Sequence, residues 1–205
     1  MNNTNPLIAT KIIVRKNKTY NAFTKYIASD FNTINVSTPH EYIKECWERY
    51  NKKCPDSEKT QSLNGKIFET IIATCLYREN ILPMFLQANV TFVPNVEFDI
   101  VLFKKEKRSP IGISIKTSLR ERYKQADLEA VALKYVHRNA ENYLISLQSK
   151  EIDTVKKKLS DGSLLGLNKI IAADTNEFDE LIEFLKSQTF INPREVPVIS
   201  GTLIE

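Results

Sequence analysis

The chain reads as an α/β (α+β) domain built on a mixed β-sheet flanked by helices. Three observations predict it. The first third places apolar residues at helical spacing, the middle passes through three short β-branched and aromatic segments, and the last third alternates strand and helix patterns. At 205 residues, 42% hydrophobic and 26% charged, the length suits one domain with one core. We divide it into an N-terminal helical part over residues 1–60, a core over 61–175, and a C-terminal helix with an extended tail over 176–205.

The helical part comprises YNAFTKYIASDF (20–31) and HEYIKECWERYN (40–51); LNGKIFETIIATCLYREN (63–80) follows after a loop, CPDSEKTQS. QANVTFV (87–93), VEFDIVLF (96–103) and IGISIKTS (111–118) carry the strand signal, and KKEKRSP (104–110) joins the last two as a hairpin loop. A helix is expected over Leu119–Arg138. NYLISL, IDTVKKKLSD, NKIIAAD and EFDELIEFLKSQ then read strand, helix, strand, helix. The tail from Phe190 contains Pro193 and Pro197 and ends in VISGTLIE, which reads equally as an edge strand or a partner contact.

Composition removes several classes of function. Five scattered glycines provide neither a GxxxxGK nor a GxGxxG loop, so nucleotide-driven chemistry is not expected. Cys46, Cys54 and Cys75 form no disulfide framework, and His40, Cys46 and Cys54 lack the spacing and fourth ligand of a zinc site. No leader pattern opens the sequence and no apolar run reaches membrane-span length, so a cytoplasmic protein is expected. The net charge of +4 only permits a polyanionic partner, but its distribution is uneven. Lys104, Lys105, Lys107, Arg108, Lys116, Arg120, Arg122 and Lys124 fall in one span that holds just two acids, Glu106 and Glu121.

Within that span, strand alternation puts Ser114 and Lys116 on one face and Ile111, Ile113 and Ile115 on the other. Asp99 interrupts the apolar VEFDIVLF, where a carboxylate is costly unless paired or metal-bound. A hairpin brings Asp99 to Lys116. That pair is either a salt bridge or the start of a metal-dependent phosphodiesterase site, with the carboxylate on Mg²⁺ and the lysine beside the attacking water. Glu69 flanks a helical face made of Ile67, Phe68, Ile71, Ile72 and Cys75, and reads either as a second metal ligand or as an edge glutamate with a wet head.

On the following helix, Ser118 and Glu121 have capping-box spacing. Arg122, Gln125 and Glu129 share one face, and Leu128, Val131 and Tyr135 are expected to pack on the sheet from the opposite face. Arginine pairs with guanine and glutamate accepts from cytosine N4, so Arg122 and Glu129 either read a G·C pair or belong to a solvated face. The Lys104–Arg108 loop and Lys156–Lys158 are similarly phosphate contacts or ordinary surface charge.

The run KTSLRERYKQADLEA, Lys116 to Ala130, resembles the signature of the EcoRII and SsoII group of type II restriction endonucleases, within the PD-(D/E)xK nucleases. The resemblance implies a sheet core flanked by helices and Mg²⁺-dependent cleavage of double-stranded DNA. It implies Lys116 as the catalytic lysine, Asp99 and Glu69 as catalytic and metal-binding carboxylates, and the backbone carbonyl of Ile115 as a further ligand. Arg122 and Glu129 match the pair that reads CC/GG, with Arg120, Lys124 and Gln125 close to DNA. Phe98 stands where a proline is usual, and Ser114 where an acid is expected two residues before the lysine; Glu129 is the rival to Glu69 for the missing ligand. A homodimer on a palindromic or near-palindromic site is expected, since two-fold symmetric DNA asks for two copies of one active site. A companion methyltransferase, with no direct contact, fits the same group. A structure-reading repair or recombination nuclease, and a non-catalytic DNA-binding module with a decayed site at Ser114, are the alternative readings.

Overall fold

A computed structural model describes residues 5–93, 95–192 and 198–205, with the side chains of 198–200 excepted. Its centre is a six-stranded mixed sheet in the order β5-β4-β3-β2-β1-β6. The strands are β1 Met84–Val90, β2 Phe98–Phe103, β3 Pro110–Ile115, β4 Glu141–Ser146, β5 Lys169–Ala172 and β6 Val198–Ile204. β6, β1, β2 and β3 pair antiparallel, whereas β3, β4 and β5 run parallel. The change of direction follows from the connections. A short loop joins β2 to β3, while the β3–β4 and β4–β5 connections contain α5 Arg122–Val136 and α6 Lys150–Ser160, as parallel crossovers require.

Helices cover both faces. The N-terminal turns α1 Pro6–Ala9 and α2 Lys18–Ala22, with α3 Pro39–Lys53, α4 Gln61–Arg78 and α7 Asn176–Lys186, share the larger core with Ile100, Leu102, Ile111, Ile113 and Ile115. α3 starts with a formed capping box between Thr38 and Glu41. The 20–31 segment is not one helix: it passes from α2 into a π-helical turn at Phe23–Ile27 and then a 3-10 turn at Phe31–Thr33. β1 begins three residues before the expected QANVTFV, because Met84, Phe85 and Leu86 pair with β2, and it ends at Val90. VISGTLIE is an edge strand on β1. Pro193 and Pro197 lie outside the described residues.

α5 departs from expectation in two ways. It begins at Arg122, after a turn in which Arg120 has φ 23°, and no capping box forms. Ser118 Oγ instead donates to Glu151 on α6, whose carboxylate also accepts from the Leu119 N–H at 2.9 Å and is held below its usual range by these backbone bonds. Glu121 pairs with Lys124. The helix is also rotated: Leu128 (69% exposed), Val131 and Tyr135 (88%) face outward, and Tyr123, Ala126, Asp127, Ala130 and Leu133 are buried. Small Ala126 and Ala130 let the helix seat closely, and the loop after α6 packs against it so tightly that a Cβ on Gly166 would lie 2.4 Å from Asp127 O and Val131 N. Asp127 anchors that loop, accepting the N–H groups of Leu165, Gly166 and Leu167 at 2.8 to 3.1 Å.

The basic segments are partly consumed internally. Lys104 is buried and pairs with Glu141, and Lys156 pairs with Glu177 at 2.5 Å, so neither is free for phosphate. Lys105, Lys107 and Lys157 remain exposed.

Replacing Asp127 by alanine leaves three backbone donors without their acceptor. We expect Asp127→Ala to lower the unfolding free energy by about 2–4 kcal/mol, read by urea denaturation; a loss below about 1 kcal/mol would contradict the anchoring role.

Candidate active site

The site forms where β3 parts from β2. The β2–β3 register runs from Phe103↔Pro110 to Ile100↔Ile113 and stops there, while β3 stays paired with β4 through Ile115↔Ile145. Beyond the last pair, the Ile115 N–H turns to the Asp99 side chain, with Oδ2 accepting it at 2.6 Å. Lys116 leaves the end of β3 with its own N–H on Ile145 O, and its Nζ lies 2.9 Å from the same Asp99 oxygen. A carboxylate in an apolar strand thus finds both a main-chain donor and a cation at the strand split. The Asp99 and Lys116 side chains are 12% and 18% exposed.

Glu69 arrives from α4. Its Oε2 lies 2.8 Å from Lys66 Nζ and accepts from Gln87 Nε2 at 3.1 Å. Gln87, on β1, also donates to Asp99 Oδ1 at 3.4 Å and accepts from Lys66 at 2.6 Å, so one amide links the two carboxylates. Burial raises the Glu69 carboxyl above its ordinary value, the Asp99 charge adds to the rise, and Lys66 and Lys116 oppose it. Gln87 takes φ 49°, and the β1–β6 register shifts next to it. Sequence reading missed Gln87; its one signal is a polar residue where the apolar run MFL breaks.

The other candidates lie at different depths. Ser114 is buried at 4% exposure and supplies no carboxylate. On α5, Gln125 Nε2 donates to Glu129 Oε1 at 2.7 Å. Burial raises the Glu129 carboxyl, with the Gln125 bond and the Lys116 charge opposing and the Asp99 charge adding, so Glu129 lies within electrostatic reach of the pair. Arg122 and Gln125 are exposed. Arg120 approaches Glu151 at 3.7 Å and Lys124 approaches Glu121 at 2.5 Å; both are exposed pairs that a stronger anion displaces readily. Cys46, Cys54 and Cys75 are buried free thiols, and His40 is held by Asp179, its Nδ1 2.5 Å from Oδ2.

Among the described residues no three His, Cys, Asp or Glu side chains gather as a metal cluster. The oxygen donors gathered here are two carboxylates, Asp99 at the strand split and Glu69 on α4, linked by Gln87. This hard-oxygen set suits Mg²⁺, which is commonly bound through one or two carboxylates and keeps several waters. Burial first and the neighbouring Asp99 charge second disfavour the Glu69 carboxylate, and a divalent cation would favour it.

No family model and no curated protein matches the chain. A solved structure described as restriction endonuclease PspGI in complex with substrate DNA is similar to it, with a TM-score of 0.50, 18% identity, and coverage of 85% of this chain and 77% of that one. The fold is therefore restriction-endonuclease-like, a mixed sheet flanked by helices.

The coupling of the two carboxylates is open to titration. In Asp99→Asn the Glu69 carboxyl should fall toward its ordinary value, since a repelling charge is gone and Lys116 loses its competing partner. Carboxyl NMR checks this, and an unchanged Glu69 would refute the coupling. A raised carboxyl also makes Glu69's contribution to stability fully present below its unfolded value and lost as pH rises through its folded one.

Proposed function

We propose that the protein is a Mg²⁺-dependent, sequence-specific endonuclease of double-stranded DNA, of the type II restriction kind. The observation that carries this reading is Asp99 at the strand split, bonded to Lys116 and linked by Gln87 to Glu69, in a fold similar to that of a DNA-bound restriction endonuclease.

Asp99, Glu69 and the Ile115 carbonyl are the groups that would hold Mg²⁺. When bound, the ion supplies charge neutralisation at the scissile phosphate and acidifies a coordinated water. In this reading Lys116 orients the attacking water and stabilises charge on the phosphate oxygens, a role supported by its ion pair with Asp99 at 2.9 Å. Water adds to phosphorus as the bond to the 3′ oxygen breaks, leaving a 5′-phosphate and a 3′-hydroxyl.

Arg122 and Glu129 serve best as base readers of a GG/CC element, with Arg120, Lys124 and Gln125 along the backbone. Glu129 is then reserved for recognition and Glu69 for the metal. A homodimer acting in the cytoplasm on a palindromic or near-palindromic site, beside a methyltransferase that it does not touch, completes the reading.

The test is digestion of sequenced plasmid or phage DNA with Mg²⁺ and an EDTA control, followed by sequencing of the fragment ends. Discrete ends sharing a GG/CC motif support the proposal. Cleavage without a shared sequence favours a structure-reading nuclease. Gel-shift binding without cleavage in any divalent metal favours a non-catalytic module in which Ser114 marks the lost acid.

Lys116→Ala should lower the cleavage rate roughly 10²–10⁴-fold while largely sparing specific binding. Arg122→Ala should weaken binding to the cognate duplex by about 1–3 kcal/mol and lose cleavage with it. A Lys116→Ala protein that cuts at the wild-type rate would remove the lysine from the mechanism.

A further inference from the structure

The two carboxylates border a cavity of about 260 Å³ whose other wall has no part in the chemistry above. Ile12, Val14 and Arg15 line that wall, facing Lys66, Glu69 and Asp99. The segment is strongly basic: of the eight residues Lys11–Lys18, Lys11, Arg15, Lys16 and Lys18 are cations and none is an acid. It is pinned on both sides. Ile13 is buried and its N–H bonds to Leu7 O at 3.0 Å, while Asn17 caps α2 by accepting from the Tyr20 N–H at 2.8 Å. Between the pins, Val14, Arg15 and Lys16 are exposed.

Arg15 has no ion-pair or hydrogen-bond partner among the described residues. The carboxylates across the cavity do not call for it, because Lys66 is bonded to Glu69 and Lys116 to Asp99. Its guanidinium is thus a surplus positive charge, carried on a backbone that the two pins hold at the rim of the cavity bordered by Glu69 and Asp99. A guanidinium in that position suits an anion with fixed oxygen geometry, and the aliphatic flanks of Ile12 and Val14 suit the sugar attached to it.

We propose that Lys11–Lys18 is a backbone-binding strap, with Arg15 contacting a phosphate next to the scissile one and pressing the strand against α4. The partner is the sugar–phosphate chain, independent of base sequence, and the inference rests on the nuclease reading. The strap positions substrate and takes no part in bond breaking.

The experiment measures affinity for a fluorescent cognate duplex by anisotropy across a salt series, with Ca²⁺ replacing Mg²⁺, for wild type, Arg15→Ala, Arg15→Glu and the control Lys52→Glu, an exposed lysine on α3 outside the cavity. Loss of one phosphate contact should reduce the slope of log affinity against log salt by about 0.9 in Arg15→Ala, and weaken cognate and non-cognate duplexes alike. Arg15→Glu should bind at least tenfold more weakly and cut correspondingly slower at subsaturating DNA, with its melting temperature unchanged and Lys52→Glu resembling wild type. If wild type binds and cuts while both Arg15 variants keep its slope and affinity, the strap is overturned and the nuclease reading stands. If wild type neither binds nor cuts duplex DNA, the nuclease reading fails and the strap with it.

Discussion

Asp99 stands in for a missing rung of the sheet. Where β3 turns from β2 to remain with β4, the Ile115 N–H would be left without an acceptor, and an unpaired buried donor is costly. The Asp99 carboxylate takes that bond and in doing so becomes fixed beside Lys116. The same acid cannot relax away from Glu69, because Gln87 ties the two together from the neighbouring strand. Much of the site's electrostatics descends from this one splice. A charge that the fold needs for hydrogen bonding also holds the lysine and adds to the rise that burial imposes on Glu69.

The mixed sheet, the β2–β3 hairpin and the meeting of Asp99 with Lys116 were legible because each depends on local pattern or on strand alternation. α5 marks the limit of that method. Leu128, Val131 and Tyr135 form a hydrophobic stripe, yet the helix buries the face of Tyr123, Ala126, Asp127, Ala130 and Leu133 instead. Close approach favours small residues, and the buried acid is compensated by three N–H groups nearly forty positions away in sequence, which no periodicity reveals. Ser118 and Glu121 failed for a related reason. Both had the spacing of a cap, but Glu151 on another helix competes for the same loop. Gln87 was invisible because its importance is a matter of three-dimensional neighbours and a left-handed backbone, not of residue type.

Positive charge on this protein is of two kinds. Lys104, Lys156 and Lys66 are bonded to acids within the fold, and Arg120 and Lys124 lie in exposed pairs that exchange readily. Arg15, Arg122, Lys105, Lys107 and Lys157 are exposed. The linear cluster from Lys104 to Lys124 therefore overstates the local field at one end, and the basic segment at Lys11–Lys18 contributes where composition alone gave no reason to look.

The cavity draws its walls from Ile12 to Thr202, and β6 is the strand that turns β1 from an edge into an interior member. Met84 and its partner Ile204 are 120 positions apart, a separation that makes this pairing slow to find. β6 is also translated after the other five strands. During synthesis a nascent chain can assemble the hairpin bearing Asp99 and Lys116 long before the strand beside Gln87 arrives. Closure of the cleft on the Thr202 side therefore depends on the pairing of greatest sequence separation in the sheet, and a chain without that pairing has its two carboxylates without that wall.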